Sequence, residues 1–191
     1  MKTGKLLGEK WFSRDAVTVA RELLGKVIEY GGVSGMVVEA EAYKTDPASH
    51  AFRITPRSKI MLETHGYFYV YFTYGMHYCL NVTTNKNEVG AVLIRALEPV
   101  SGIEKMQRRR DTENIYNLTS GPAKLTQALS ITKKLNGTKV GNDAKIYEYK
   151  KVGKNEIASS GRIGIRMAKD LPWRFFIKGN KHVSWPKSGG K

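Results

Sequence analysis

The sequence predicts a single compact α+β domain with a sheet built from hairpins. Three observations point there. The chain has 191 residues, the length of one domain or of one domain with long loops. Hydrophobic residues make up 41% of it, enough for a core and too many for a disordered chain. Its strand-like stretches come in pairs around glycine-containing turns, with helical patterns before and between them.

The first helix is expected from about Arg14 to Leu24. Ser13 is its candidate N-cap, Asp15 sits in the first turn and Gly25 ends it; Val17, Ala20 and Leu24 have helical spacing. Val27 to Tyr30, the Gly31-Gly32 turn and Met36 to Tyr43 read as a hairpin. On its second strand Val37, Glu39, Glu41 and Tyr43 share one face, and Val38, Ala40 and Ala42 the other. Two carboxylates two residues apart on a strand lie ~6.6 Å apart, at ~3.3 Å per residue. They form either a general acid/base pair, with Tyr43 beside them, or a polar solvated face.

Residues 44–59 form a loop broken by Asp46-Pro47 and Thr55-Pro56, with His50 inside it. A short helix over Arg57 to Leu62 leads into the aromatic stretch Tyr67 to Asn81. That stretch reads as strand, turn, strand. Tyr67, Tyr69 and Tyr71 face one way; Phe68, Val70 and Phe72 face the other. Gly75 places Tyr74 at the hairpin tip, where a bulky ring has the shape of a wedge between base pairs. The other reading is an aromatic hairpin buried in the core.

Val89 to Leu97 is a mostly apolar strand stopped by Glu98-Pro99. Arg95 inside it either lines a site or points outward from an edge. A helix from Ser101 to Arg110 ends in Arg108-Arg109-Arg110, which suits the helix dipole and equally suits phosphate. Ser120 before Gly121-Pro122 starts another, with Leu125, Ala128 and Leu129 as its stripe. The Lys-rich segment 133–154 is either phosphate-facing or a solvated surface, and holds a short strand over Ile146 to Tyr149. Strands around Gly161 to Arg166 and Trp173 to Ile177 complete the fold, and the tail over 186–191 is expected to fray.

Lys and Arg number 32 against 17 Asp and Glu, a net charge of +15. A domain this basic most often meets a polyanion, nucleic acid ahead of an anionic membrane. Cys79 is the only cysteine, so no intrachain disulfide forms and a reducing compartment fits: cytoplasm or nucleoid, or nucleus in a eukaryote, and not secretion. No run approaches a membrane span, and no signal peptide is visible. The sequence has no Gly-rich phosphate loop, HExxH or CxxC pair, and His77 with Cys79 is weak support for a metal, so none is expected.

Several motifs, in order, resemble one family. They are Val38-Glu39-Ala40-Glu41-Ala42-Tyr43, Asp46-Pro47-Ala48-Ser49-His50, and Tyr69-Val70-Tyr71-Phe72-Thr73-Tyr74-Gly75-Met76-His77. Ile94-Arg95-Ala96-Leu97-Glu98-Pro99, Gly121-Pro122-Ala123-Lys124-Leu125, Gly161-Arg162-Ile163-Gly164 and Pro172-Trp173-Arg174-Phe175-Phe176 extend the match. Together they resemble the alkyladenine (3-methyladenine) DNA glycosylases of the mammalian and bacterial type II form. The resemblance implies a curved antiparallel sheet with a protruding hairpin, wrapped by helices, in a monomer without metal or cofactor. It implies a partner, duplex DNA containing damaged purines, and hydrolysis of their N-glycosidic bond.

By motif position Glu41 resembles the general base and Arg95 the residue that helps hold the attacking water. Tyr43, His50 and Tyr71 resemble the walls of the base pocket, and Asn81 the residue that disfavours guanine. Tyr74 resembles the side chain that fills the gap left by a flipped nucleotide. Ser58 departs from the pattern, where Asn is expected, and the loop from Tyr43 to Thr55 is short. The residue chemistry agrees. Electron-rich rings favour cationic bases, which are good leaving groups, and a carboxylate then suffices to activate water. The rival class is a non-catalytic module stacking single strands on its tyrosines, which needs no carboxylate on that face. A lyase using a lysine nucleophile is chemically possible, but no lysine falls in a matched pocket motif.

Overall fold

Gly31 (φ 63°) and Gly32 (φ 76°) both take the left-handed conformation that a two-residue hairpin loop requires. They turn β1 (Val27–Tyr30) back into β2 (Val33–Tyr43). The computed structural model describes residues 4–73 and 75–184; Tyr74 and the expected fraying tail lie outside them. The remaining strands are β3 (Phe68–Thr73), β4 (His77–Thr83), β5 (Ala91–Ser101), β6 (Lys145–Tyr147), β7 (Ile157–Ser160) and β8 (Arg174–Ile177). Helices α1 (Glu9–Phe12), α2 (Ala16–Leu23), α3 (Ile60–Glu63), α4 (Ile103–Arg110) and α5 (Pro122–Ala128) lie between them.

β2 and β5, 11 residues each, pair antiparallel along almost their whole length and form the spine. Outward from β5 come β4 and then β3; from the other side of β2 come β1 and β6. β8 also pairs with β2, taking Glu39–Glu41 beyond the end of β1, and β7 closes against β8. The result is one curled, antiparallel half-barrel in an α+β domain. The outer half of the β3–β4 hairpin extends past β5, which pairs only with Asn81–Thr83.

Helix α2 sets Ala16, Val19, Ala20 and Leu23 against the sheet, all with no exposed surface. Its N-cap is Asp15, which accepts from the N–H groups of Val17 and Thr18, and not Ser13, whose hydroxyl donates to Lys10 O. A carboxylate at this position satisfies two orphan donors and complements the dipole. The segment 136–140 runs along the free edge of β3: Phe68 N donates to Thr138 O and Val70 N to Asn136 Oδ1. The Lys-rich stretch is therefore in part a cover for an edge strand.

Several strand boundaries differ from the sequence reading: β2 begins at Val33 and not Met36, β6 is Lys145–Tyr147 and not 146–149, and two further differences have a physical reason. β5 runs through Pro99 to Ser101, because no strand pairs with its outer side there and the missing N–H costs nothing. The strand expected over Gly161 to Arg166 is β7, which ends at Ser160; residues 161–167 form a loop. At Gly161 that loop comes so close to Lys169 O that a Cβ would lie 2.6 Å from it.

Candidate active site

The spine is irregular where the two carboxylates sit. Val37 pairs with Leu97, Glu39 with Ala96 and Ala40 with Ile94, leaving Val38 and Arg95 each as an extra residue. These offset bulges interrupt the ladder at Arg95 and let its side chain reach between two glutamates. Arg95 Nε lies 3.1 Å from Glu39 Oε1, and Nη1 lies 3.3 Å from Glu41 Oε1. Both carboxylates have no exposed surface, which excludes the solvated-face reading.

Their surroundings differ. Glu39 accepts from Arg95, from Arg174 Nε at 2.7 Å and from both the N–H and the hydroxyl of Ser184. Burial pushes its pKa up, but the Arg95 and Arg174 guanidiniums overcome this and hold it below the usual carboxylate value. Glu41 accepts from the Ile163 backbone N–H at 2.7 Å on Oε1 and from the Tyr43 hydroxyl at 2.8 Å on Oε2. Tyr43 stays a protonated donor, because burial and the adjacent Glu41 charge push its phenol far up. Arg95 stays cationic: burial opposes its charge, and the Glu41 and Glu39 carboxylates more than restore it.

Above this layer opens a pocket of about 450 Å³, within the range of small-molecule sites. Arg95 and Ile163, both in contact with Glu41, form part of its floor. One wall is the tyrosine face of the hairpin. Alternation holds there: Tyr69, Tyr71 and Thr73 line the pocket, while Phe68 and Val70 enter the core. Across β4, Cys79 pairs with Tyr71 and Asn81 with Tyr69, so both face the pocket too. Asn81 donates its amide to Tyr69 O at 3.1 Å. Cys79 is a buried thiol; burial raises its pKa, against the opposing hydrogen bond from Tyr71.

The loop after β2 supplies Pro47, Ala48 and His50, and the loop after β7 supplies residues 163–167. His50 stands at the mouth. Its Nδ1 lies 3.1 Å from the Tyr69 hydroxyl, and its ring meets Tyr71 edge-on with centroids 4.5 Å apart. Partial desolvation of the ring, and then the Arg57 charge, lowers its pKa, which favours neutral imidazole at pH 7. Tyr43, His50, Tyr71, Asn81 and Arg95 thus line one cavity, and Glu41 lies behind its wall in contact with Tyr43 and Arg95. Tyr74, the expected wedge, lies outside the described residues; its neighbours Phe72 and Met76 are exposed at the hairpin's outer end.

Ser58 is fully buried but takes no part in the lining. It bonds Thr55 through the backbone and both hydroxyls, which closes the turn before α3. Four residues had no assigned role from sequence. Ile163 acts through its backbone; Arg162 and Asp46 form a buried ion pair; Arg57 lies 4.7 Å over the Tyr71 ring. Asp46, Arg162 and Ile163 fall inside the quoted motifs, so for them a signal was there without a role. Among the described residues, no three His, Cys, Asp or Glu side chains gather to hold a metal ion. No helix of the described residues is long and apolar enough to cross a membrane.

The comparisons with known proteins agree on one family. A family model described as methylpurine-DNA glycosylase matches residues 10–181. A protein of Carboxydothermus hydrogenoformans, described as "Putative 3-methyladenine DNA glycosylase", is 47% identical over 188 residues, covering 94% of this chain and 98% of that protein. Relatives of the same description in Methanoculleus marisnigri and Bradyrhizobium diazoefficiens are 45% and 42% identical. They cover 91% and 97% of this chain, and 96% and 94% of their own length. With the matched span taking in every residue around the pocket, from Glu39 and Glu41 to Arg162 and Arg174, the chain belongs to the methylpurine-DNA glycosylase family.

Proposed function

We propose that this chain removes alkylated purines, 3-methyladenine foremost and deaminated purines such as hypoxanthine after it, from duplex DNA. The observation that carries this reading is Glu41, a buried carboxylate whose three partners, Tyr43, Ile163 and Arg95, all line a tyrosine-walled pocket.

A base inside a duplex shields its C1′, so the nucleotide must be extruded, at a cost of a few kcal/mol of stacking and pairing. Damage lowers that cost, and a ring at the hairpin tip offsets it by stacking in the gap. The faces of Tyr43 and Tyr71 attract a cationic base. Glu41 then accepts a proton from water as the water oxygen bonds C1′ and the C1′–N bond breaks. The electron pair of that bond neutralises a cationic purine such as 3-methyladenine, whereas neutral hypoxanthine must also take up a proton from water as it leaves. The negative carboxylate also stabilises positive charge growing on the sugar. Arg95 limits the negative charge of the floor and aligns the carboxylate. Glu39, with its bonds used by Arg95, Arg174 and Ser184, is given a structural part.

No lysine lines the pocket among the described residues, which supports a monofunctional hydrolase that leaves an abasic site and forms no Schiff base. A single-strand stacking platform would not need a buried carboxylate, whose placement costs several kcal/mol unless paired. The deciding experiment incubates the protein with alkylated duplex and identifies released bases by chromatography. Release of 3-methyladenine supports the reading. Binding without release, with single strands preferred, would overturn it. Borohydride added during turnover should trap no protein–DNA adduct.

A further inference from the structure

Asp46 and Arg162 lie 116 residues apart in the chain and meet as a buried pair behind the pocket. Arg162 Nη2 lies 2.6 Å from Asp46 Oδ1 and Nη1 lies 3.2 Å from Oδ2, a two-pronged contact with 0% and 5% of the side chains exposed. Nη1 also donates to Ala42 O at 3.0 Å. The guanidinium carbon lies 4.7 Å from the Tyr43 ring and 5.2 Å from that of Trp173.

Stability alone is a weak reason for such a pair. Taking two charges out of water offsets most of their attraction, and apolar replacements of similar volume are often as stable. What an apolar pair would not reproduce is direction. Asp46 belongs to the loop carrying Pro47, Ala48 and His50, and it shapes that loop by accepting from the Ala48 and Lys44 N–H groups. Arg162 begins the loop carrying Ile163 to Met167. The pair therefore ties two walls of the pocket together. It also governs two of the three groups that hold Glu41. The Tyr43 ring packs against the guanidinium, and Ile163, whose N–H donates to Glu41, is the next residue.

We propose that Asp46 and Arg162 are positioning residues that set the Glu41 carboxylate for base release, acting through Tyr43 and Ile163. The inference rests on the reading of Glu41 as the group that activates water. Displacement of a reacting group by about 1 Å costs on the order of 10²-fold in rate, whereas pocket affinity is spread over many contacts. Loss of the pair should thus show in the chemical step far more than in binding.

The test uses Arg162→Lys, which keeps the charge and loses the fork, and Asp46→Asn, which keeps the shape and loses the charge. Each is measured beside wild type for thermal midpoint, for Kd on lesion-containing duplex and for single-turnover release of 3-methyladenine. Expected are folded variants, Kd within about threefold of wild type, and release slower by roughly 10²-fold. Release within threefold of wild type in a folded variant would overturn the proposal. So would equal losses in binding and release, or failure of both variants to fold, since either makes the pair merely structural. If wild type itself releases no base, the fault lies with the reading of Glu41 and not with the pair.

Discussion

The Ile163 backbone N–H donates to Glu41 Oε1 at 2.7 Å, across 122 residues of chain. The contact fixes the carboxylate whose partners Tyr43, Arg95 and Ile163 all line the pocket, and it comes from a loop and not from the sheet that carries Glu41. Glu39, two residues away on the same strand face, likewise accepts a distant backbone N–H, from Ser184 at 2.7 Å, but no partner of its carboxylate except Arg95 lines the pocket. Its oxygens are taken up by Arg95, Arg174 and Ser184. Two glutamates at strand spacing thus divide into one shared by Arg95, Arg174 and Ser184 and one whose partners Tyr43, Arg95 and Ile163 all line the pocket.

Glu39→Gln should be costly to stability. Removal of the charge leaves Arg95 and Arg174 buried without their shared partner, and breaking a buried network in this way costs about 3–5 kcal/mol. Denaturant unfolding measures the loss. A change under about 1 kcal/mol, the size of a surface pair, would show that Glu39 is not the centre of the network.

The same residue sets an acid limit. Burial opposes the Glu39 charge, and the Arg95 and Arg174 guanidiniums more than offset that, so its folded pKa lies below its unfolded value. A depressed pKa gives stability that is complete above the unfolded value of about 4.3 and is lost as pH falls through the folded one. The unfolding free energy should therefore hold from neutral pH down to about 5 and then decline. In Glu39→Gln the part of that decline due to this residue should be absent. Parallel slopes in both proteins would assign acid loss to other carboxylates.

How much of this could be read from the sequence varied with the kind of contact. Strict alternation in the aromatic hairpin sorted Tyr69 and Tyr71 from Phe68 and Val70, because a strand buried on two unlike faces must obey period two. The Gly31-Gly32 turn was legible for the same local reason. The Ile163 N–H was not, since a backbone donor leaves no residue signature. Residues 161–166 resembled a strand, yet a close backbone approach at Gly161 bends them into a pocket wall. Asp15 took the cap from Ser13 by a shift of two residues, and Pro99 stayed in its strand because its outer edge has no partner. Apart from that local cap, each of these misses turned on tertiary neighbours, which spacing does not encode.

The arginine triplet of α4 separates into structural and free charge. Arg109 donates to Ala128 O at 2.9 Å and to Gly31 O at 2.7 Å, and Arg110 Nε donates to Leu118 O at 3.2 Å. Arg109→Ala should therefore destabilise the fold by about 1–3 kcal/mol, the worth of hydrogen bonds from a charged donor. The salt dependence of binding to undamaged duplex should hardly change. Loss of one phosphate contact would instead flatten the log–log slope by about 0.9, and that result would place Arg109 on the DNA.

Glu41→Gln separates chemistry from binding. The amide keeps the shape of the carboxylate and can still accept from Ile163 N–H through its oxygen. It loses the negative charge and the basic oxygen. If Glu41 accepts the proton of water, single-turnover base release should fall by the ~10²–10⁴-fold typical of a lost general base. Affinity for lesion-containing duplex should be kept or improved, because a carboxylate near phosphates is repelled and its neutral isostere is not. Arg95 then keeps one carboxylate, Glu39, so the pocket floor becomes more positive, which also favours a polyanion. Excision of 3-methyladenine or hypoxanthine is measured beside a gel-shift titration on the same duplex. Slow release with intact binding fits a water-activating carboxylate. Equal loss of both would mean that Glu41 shapes the pocket without entering the reaction. Release at the wild-type rate would remove Glu41 from the mechanism, and Glu39, though walled in by two arginines, would be the next carboxylate to test.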